Sequence, residues 1–115
     1  MNAYNIEYTF YGDESIDWDA LNNKVKIHLY RILQETMQNA YKHAEATKVD
    51  ISFNNETGKL VLSILDNGKG FDVQKSKKGI GLKNIEDRIK EINGKLYINS
   101  QVNKGTNIII IVPTL

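Results

Sequence analysis

Three short segments, in a fixed order along the chain, hold the residue types that can do chemistry together. Glu35-Thr36-Met37-Gln38-Asn39-Ala40-Tyr41-Lys42-His43-Ala44 sets a carboxylate, a carboxamide and two basic side chains at helical spacing. Asp66-Asn67-Gly68-Lys69-Gly70-Phe71 places an acid and two glycines after the apolar run Leu60 to Leu65, and Gly79-Ile80-Gly81-Leu82 opens a second helical pattern. Asn39 offers a neutral carbonyl oxygen, a hard ligand of the kind Mg²⁺ accepts while keeping several waters. Glu35, one helical turn earlier, can orient or deprotonate such a water. Lys42, one turn later, can neutralise a phosphate. Taken singly, each is an ordinary solvated helix-edge residue, and a lone His43 is more often a packing or surface histidine than a ligand.

Asp66 ends an apolar strand, where a carboxylate partly removed from water needs a strong donor, and an adenine amino group would serve. Gly68 and Gly70 let the backbone approach a flat base closely. The competing reading is a plain Asp-Asn-Gly hairpin turn. The residues after Gly70 do not resume strand alternation, however, so the partner strand a hairpin requires is missing from the pattern. Gly79, Ile80, Gly81 and Leu82 put flexible backbone at a helix N-terminus, where unpaired N–H groups and the helix dipole favour phosphate. This is neither a Walker motif nor a complete dinucleotide fingerprint. Lys104-Gly105-Thr106 reads simply as a hairpin turn. As an ordered set, the three segments supply a metal ligand, a base-reading acid and a phosphate cradle, which is what a nucleoside triphosphate with Mg²⁺ requires.

The elements that must position these groups follow from periodicity. Leu29, Ile32, Leu33, Thr36, Met37, Ala40 and Ala44 recur at three- and four-residue steps, predicting a helix over Lys24 to Ala44 with Glu35, Asn39 and Lys42 on an adjacent stripe. Leu82 to Ile92 predicts a second helix, stopped at Asn93-Gly94. Tyr4 to Tyr11, Val49 to Phe53, Leu60 to Leu65, Leu96 to Asn99 and Asn107 to Val112 read as strands. The first of these alternates imperfectly, Tyr4, Ile6, Tyr8 and Phe10 against Asn5, Glu7, Thr9 and Tyr11, and reads as half-buried. Ile16 to Asn23 has no clear pattern beyond Asp17 as a cap for a short helical turn, and the polar stretch Asp72 to Lys78 reads as a mobile loop. The predicted fold class is α+β, a two-layer sandwich with a mixed, mostly antiparallel sheet and the helices on one face.

Composition bounds the rest. The chain has 115 residues with 41% hydrophobic content, enough for one domain with a real core over residues 1–115. A net charge of +1 gives no reason to expect nucleic acid or an anionic membrane as a partner. Positive charge is local instead, with Lys69, Lys75, Lys77, Lys78 and Lys83 around the glycine motifs. The absence of cysteine excludes disulfides and thiolate metal sites. The longest pure apolar run, Ile108 to Val112, is far too short to span a bilayer.

The three segments resemble the N, G1 and G2 boxes of the GHKL ATPase superfamily, which includes gyrase B, MutL, chaperone ATPases and histidine kinases. Tyr30-Arg31-Ile32-Leu33-Gln34-Glu35, Asn39 to Ala44, Asp66 to Phe71 and Gly79 to Ile85 are similar, more narrowly, to bacterial sensor histidine kinases of the NarX/DesK/LiaS type. The resemblance implies a Bergerat fold and a catalytic domain that binds ATP and Mg²⁺. It assigns Asn39 to Mg²⁺, Asp66 to the adenine amino group, and Gly68 and Gly70 to base and sugar. Gly79, Ile80, Gly81 and Leu82 would shape the phosphate loop, Lys42 and His43 would approach the phosphates, and Thr106 would lie at the adenine edge. Glu35 takes the position of the water-activating glutamate of hydrolysing relatives. The implied partners are the histidine-containing dimerisation domain of the same kinase and a response regulator, in the cytoplasm, with no nucleic acid and no direct membrane contact. Neither His28 nor His43 suits the role of phosphoacceptor, since both lie in or beside the nucleotide helix. The alternative from another class is a non-catalytic nucleotide-sensing or partner-binding module like the anti-sigma-factor relatives.

Overall fold

Alternation sorts the central strands. Leu60, Leu62 and Ile64 of β3 (Lys59–Asp66) and Ile108, Ile110 and Val112 of β5 (Thr106–Pro113) are all buried, while the residues between them face away from the helices. In this computed structural model, residues 6–42, 45–69 and 82–114 are described, with Tyr41, Lys42 and Leu82 described by backbone alone. The order is β1 (Glu7–Gly12), a single 3₁₀ turn (Trp18–Ala20), α1 (Asn23–Lys42), β2 (Lys48–Glu56), β3, α2 (Leu82–Glu91), β4 (Lys95–Ser100) and β5.

The five strands form one sheet in the order β1-β2-β3-β5-β4. β2 and β3 make a tight antiparallel hairpin through Thr57-Gly58, where Gly58 takes the left-handed turn position with φ 70. The pairs β3–β5 and β4–β5 are also antiparallel. Only β1 runs parallel to its neighbour β2, because the chain between them makes the long crossover through α1. The mixed, mostly antiparallel sheet with helices on one face is the architecture expected from the sequence.

Register stacks the inward side chains in rows. Ile51, Ile64, Ile108 and Ile98 form one row, and Phe53, Leu62, Ile110 and Leu96 the next. Leu29, Ile32 and Ala40 of α1 and Ile85 and Ile89 of α2 close over these rows. Thr36 is buried in the same stripe, and its hydroxyl donates to the carbonyl of Ile32 at 2.8 Å, so the stripe stays continuous without an unpaired donor. Asp17 caps the 3₁₀ turn, its Oδ1 accepting the Ala20 N–H at 3.3 Å.

α2 stops by the device the sequence announces. Asn93, not Gly94, occupies the left-handed position at φ 57. The Gly94 N–H then donates to Ile89 C=O at 2.9 Å and the Asn93 N–H to Lys90 C=O at 3.1 Å, the paired bonds of a Schellman motif. Gly94 is also closely approached, since a Cβ there would sit 3.0 Å from Ile89 Cγ2 and 3.2 Å from the Ile111 carbonyl of β5.

One expectation fails in the first strand. Tyr4 and Asn5 lie outside the described residues, and Phe10, in the apolar set of the alternation, is 65% exposed. Its parallel partner is Ile51, yet β1 is the edge strand of the sheet, with a neighbouring strand on one side alone. Ile6 and Tyr8 do pack on the core. Among the described residues no helix is long and apolar enough to cross a membrane.

Candidate functional site

The site is built at the end of β3. Asp66 is its last residue, inward-facing and only 9% exposed, between Val49 of β2 and Thr106 of β5. Burial pushes its carboxyl above the usual range, and backbone N–H groups of Gly68 and Thr106 pull the other way by bonding the charged form. The Gly68 N–H reaches Oδ1 at 2.8 Å and fixes the carboxylate's orientation. A plain hairpin is excluded, because β3 is already flanked by β2 and β5 and the next described element is α2.

Thr106 is buried beside Asp66, with its hydroxyl 2.8 Å from Ser100 Oγ. The preceding Gly105 has φ +79, and a Cβ on it would lie 2.4 Å from the Asp66 carbonyl oxygen. Both observations require glycine at this position. What reads from the sequence as a simple turn is therefore a backbone-to-backbone contact that seats the acid.

Asn67 is the residue the sequence reading passed over. Its Oδ1 accepts the N–H groups of Thr47 and Lys48, both at 2.9 Å, and its Nδ2 donates to Thr47 Oγ1 at 2.9 Å. These bonds tie the loop after β3 to the segment leaving α1. On the same side, the Ala46 N–H donates to Ala40 C=O at 3.1 Å, and Lys69 Nζ lies 3.8 Å from Glu45 Oε1. The C-terminal turns of α1 and the loop after Asp66 are thus brought to one pole of the fold. The signal for Asn67 was its type, since an Asx side chain bonds nearby backbone readily, but its partners are remote in sequence.

Asn39 and Glu35 lie half-buried on the α1 edge beside the Thr36–Ala40 stripe, as their spacing predicts. Lys42 ends the helix and Leu82 begins α2. His43, Gly70, Gly79, Ile80 and Gly81, together with the loop Asp72 to Lys78, lie outside the described residues. Lys83, counted in the positive surround, stands 3.6 Å from Asp87 in an exposed i,i+4 pair. His28 lies at the other end of α1, in a cleft with Asn84, Asp87, Arg88 and Glu91, its Nδ1 2.9 Å from the Lys24 carbonyl. At 1.5 Å rise per residue, roughly 21 Å of helix separates it from Lys42.

A two-layer α+β domain with a buried acid at a strand end and an amide on the facing helix defines a class of nucleotide-binding ATPase domains. Residues 24–115 match the family described as histidine kinase-, DNA gyrase B- and HSP90-like ATPase, and the chain belongs to that family. Sensor histidine kinase YdfH of Bacillus subtilis (strain 168) is 50% identical over 88 residues, covering 73% of this chain and 22% of YdfH. The signal transduction histidine-protein kinase/phosphatase DegS of Brevibacillus brevis is 41% identical over 90 residues, covering 77% of this chain and 23% of DegS. The chain therefore spans about a quarter of the length of these relatives. Among solved structures, a blue-light activated histidine kinase from Erythrobacter litoralis (EL346) has the same fold, with TM-score 0.81 and 17% identity over 96% of this chain and 36% of that one.

Proposed function

We propose that this chain is the ATP-binding catalytic domain of a two-component sensor histidine kinase, passing the γ-phosphate of ATP to a histidine on a separate dimerisation domain. From there the phosphoryl group goes to a response regulator. The observation that carries the reading is Asp66, a carboxylate at the end of β3 that is withdrawn from water and held by the Gly68 N–H. A buried carboxylate retains its charge only with donors to accept from, and the exocyclic amino group of adenine is such a donor.

In this reading Asp66 selects adenine over guanine, which presents a carbonyl at the same position. Thr106 lies at the adenine edge and Gly68 and Gly70 admit the base and sugar. Asn39 contributes its amide oxygen to Mg²⁺, and one neutral ligand suits an ion that takes most of its shell from phosphates and water. Bound Mg²⁺ would neutralise charge on the phosphates and hold them in line for transfer. Lys42 and His43 approach the phosphates, Gly79, Ile80, Gly81 and Leu82 shape their loop, and Glu35 orients the attacking group.

The test incubates the domain with labelled ATP, alone and with a cognate histidine-bearing helical domain. The expected result is ATP binding with negligible acid-labile label on this chain, and label on the helical partner when it is added. Strong label on this chain that is lost on His28→Ala or His43→Ala would overturn the reading. Binding of ATP with no transfer to any cognate helical domain would favour the non-catalytic sensing module.

A further inference from the structure

The helix-facing side of the sheet changes from apolar to polar in a single row. Leu96 and Ile98 of β4, Ile110 and Ile108 of β5, and Leu62 and Ile64 of β3 all pack on the core. At the next inward position each of these strands turns polar, and register sets the three residues side by side as Ser100, Thr106 and Asp66. Val49 of β2 closes the row. Thr106 and Asp66 belong to the base end of the site. Ser100, the last residue of the edge strand β4, stands one strand further out, where an apolar residue would continue the Leu96–Ile98 pattern.

The hydroxyl gives the reason for a serine. Ser100 Oγ donates to the Gly105 carbonyl at 3.2 Å and lies 2.8 Å from Thr106 Oγ1. A carbonyl can only accept, so with the one Ser100 proton on Gly105 the Thr106 hydroxyl donates to Ser100 Oγ. The peptide unit joining Gly105 to Thr106 is therefore held at both ends. Its C=O accepts from Ser100 on β4, and its N–H bonds the Asp66 carboxylate on β3. The unit is planar, so fixing the carbonyl fixes the direction of the N–H opposite. A bond accepted at the carbonyl also strengthens the bond that the N–H gives. Gly105, at φ +79, brings no side chain to restrain this peptide, so its orientation rests on those bonds. Asn107, on the other face of β5, shows the contrast. Its Oδ1 is buried with no partner among the described residues, whereas both hydroxyls of the inward row are bonded.

We propose that Ser100 is a positioning residue for base recognition: through the Gly105–Thr106 peptide it aims the Thr106 N–H at the Asp66 carboxylate and keeps that carboxylate in place. Ser100 touches no nucleotide in this arrangement and acts wholly through its neighbours. Its effect on ATP rests on the reading of Asp66 as the group that accepts from adenine, while its effect on the carboxylate does not. What moves the titration of Asp66 is burial and the N–H groups of Gly68 and Thr106, and no charged side chain among the described residues contributes. A change at Ser100 is therefore read at Asp66 without interference from a neighbouring charge.

The experiment has two arms. Without nucleotide, the ¹³C signal of the Asp66 carboxyl is followed across acidic pH. Ser100→Ala should move that titration upward, because a weaker N–H bond to the charged form disfavours it. With ATP, calorimetry compares Ser100→Ala, Asp66→Ala and the double variant. Ser100→Ala should weaken ATP roughly fivefold, the effect of one hydrogen bond, and should add nothing where Asp66 is already absent. Ser100→Thr keeps the hydroxyl on a side chain suited to a strand and should return both readings to wild type. Ser100→Cys keeps the shape with only a weak donor and should behave as Ser100→Ala. A serine that merely finishes the strand would lower the urea midpoint and leave the Asp66 titration in place, and that result overturns the proposal. Equal losses of ATP affinity with and without Asp66 overturn it as well. Asp66→Ala binding ATP as tightly as wild type would remove the base reading instead, and the nucleotide-free titration would still decide Ser100.

Discussion

In the proposed reading Asp66 and Asn39 divide the recognition of ATP between base and metal, and each role makes a separable prediction. Asp66→Asn should weaken ATP binding by roughly 1–3 kcal/mol, the loss of a charge-assisted bond at a desolvated site. Calorimetry reads this directly, and unchanged affinity would remove Asp66 from the base site. The raised pKa of Asp66 adds a pH signature with a definite sign. Burial disfavours the charged form in the folded state, so Asp66 costs stability progressively as pH rises above its ordinary value of 3.8. If Asp66 reads the adenine amino group as proposed, ATP needs the ionised form, so affinity should fall on acidification at a higher pH than an ordinary carboxylate would produce. Both dependences should flatten in Asp66→Asn, measured by denaturant unfolding and ATP titration across the mildly acidic range. Asn39→Ala should abolish most of the Mg²⁺ dependence of ATP binding and leave the circular dichroism spectrum intact. An unaltered Mg²⁺ response would return Asn39 to the role of a surface amide.

At the scale of elements, the site depends on how β3 meets β5 and how its exit is tied to α1. Gly105 has a left-handed backbone and no room for a Cβ against the Asp66 carbonyl. Gly105→Ala should therefore destabilise the fold by about 1–3 kcal/mol, since strain and a forced shift coincide. Because the shift falls on Asp66 itself, ATP affinity should drop further than stability alone requires. A protein with a wild-type urea midpoint would show that the turn relaxes freely. Asn67→Ala removes three side-chain bonds to Thr47 and Lys48, all at a partly wet site. A cost of about 1–2 kcal/mol follows, with hydrogen exchange accelerating first at Thr47 and Lys48. Uniform acceleration across the sheet would mean that Asn67 serves global stability rather than this junction.

For the whole molecule, the consequence is a division of labour between nucleotide and acceptor. Phosphoryl transfer depends on positioning and charge stabilisation, and under the proposed function this chain supplies the nucleotide half of that arrangement. Transfer in trans to a separately added helical domain should be weak, and fusing the two should raise the rate by orders of magnitude through effective concentration alone. Glu35→Gln should lower the transfer rate more than ATP affinity if Glu35 acts in the chemical step. Equal rates for mixed and fused domains would mean that docking, not tethering, limits the reaction.

The sequence by itself determined the core, the two helices and the ordered set of polar positions. Period-two alternation in β3 and β5 and the Leu29–Ile32–Thr36–Ala40 stripe can be satisfied in only one way, with both apolar faces buried together. Asn93-Gly94 likewise announced a helix stop, though only the folded backbone decided that asparagine takes the left-handed seat and glycine the crowded one. Tertiary structure alone decided the exposure of Phe10, because local alternation cannot say that β1 is the edge strand of the sheet. It also decided the junction around Asp66. Gly105, Ser100 and Asn67 reach their partners across strands or across the α1–β2 connection, and a pairing register set by the whole sheet leaves no mark on nearest neighbours in sequence. The buried Asn107 oxygen belongs to the same category, since its isolation follows from what surrounds β5 rather than from the residues beside it.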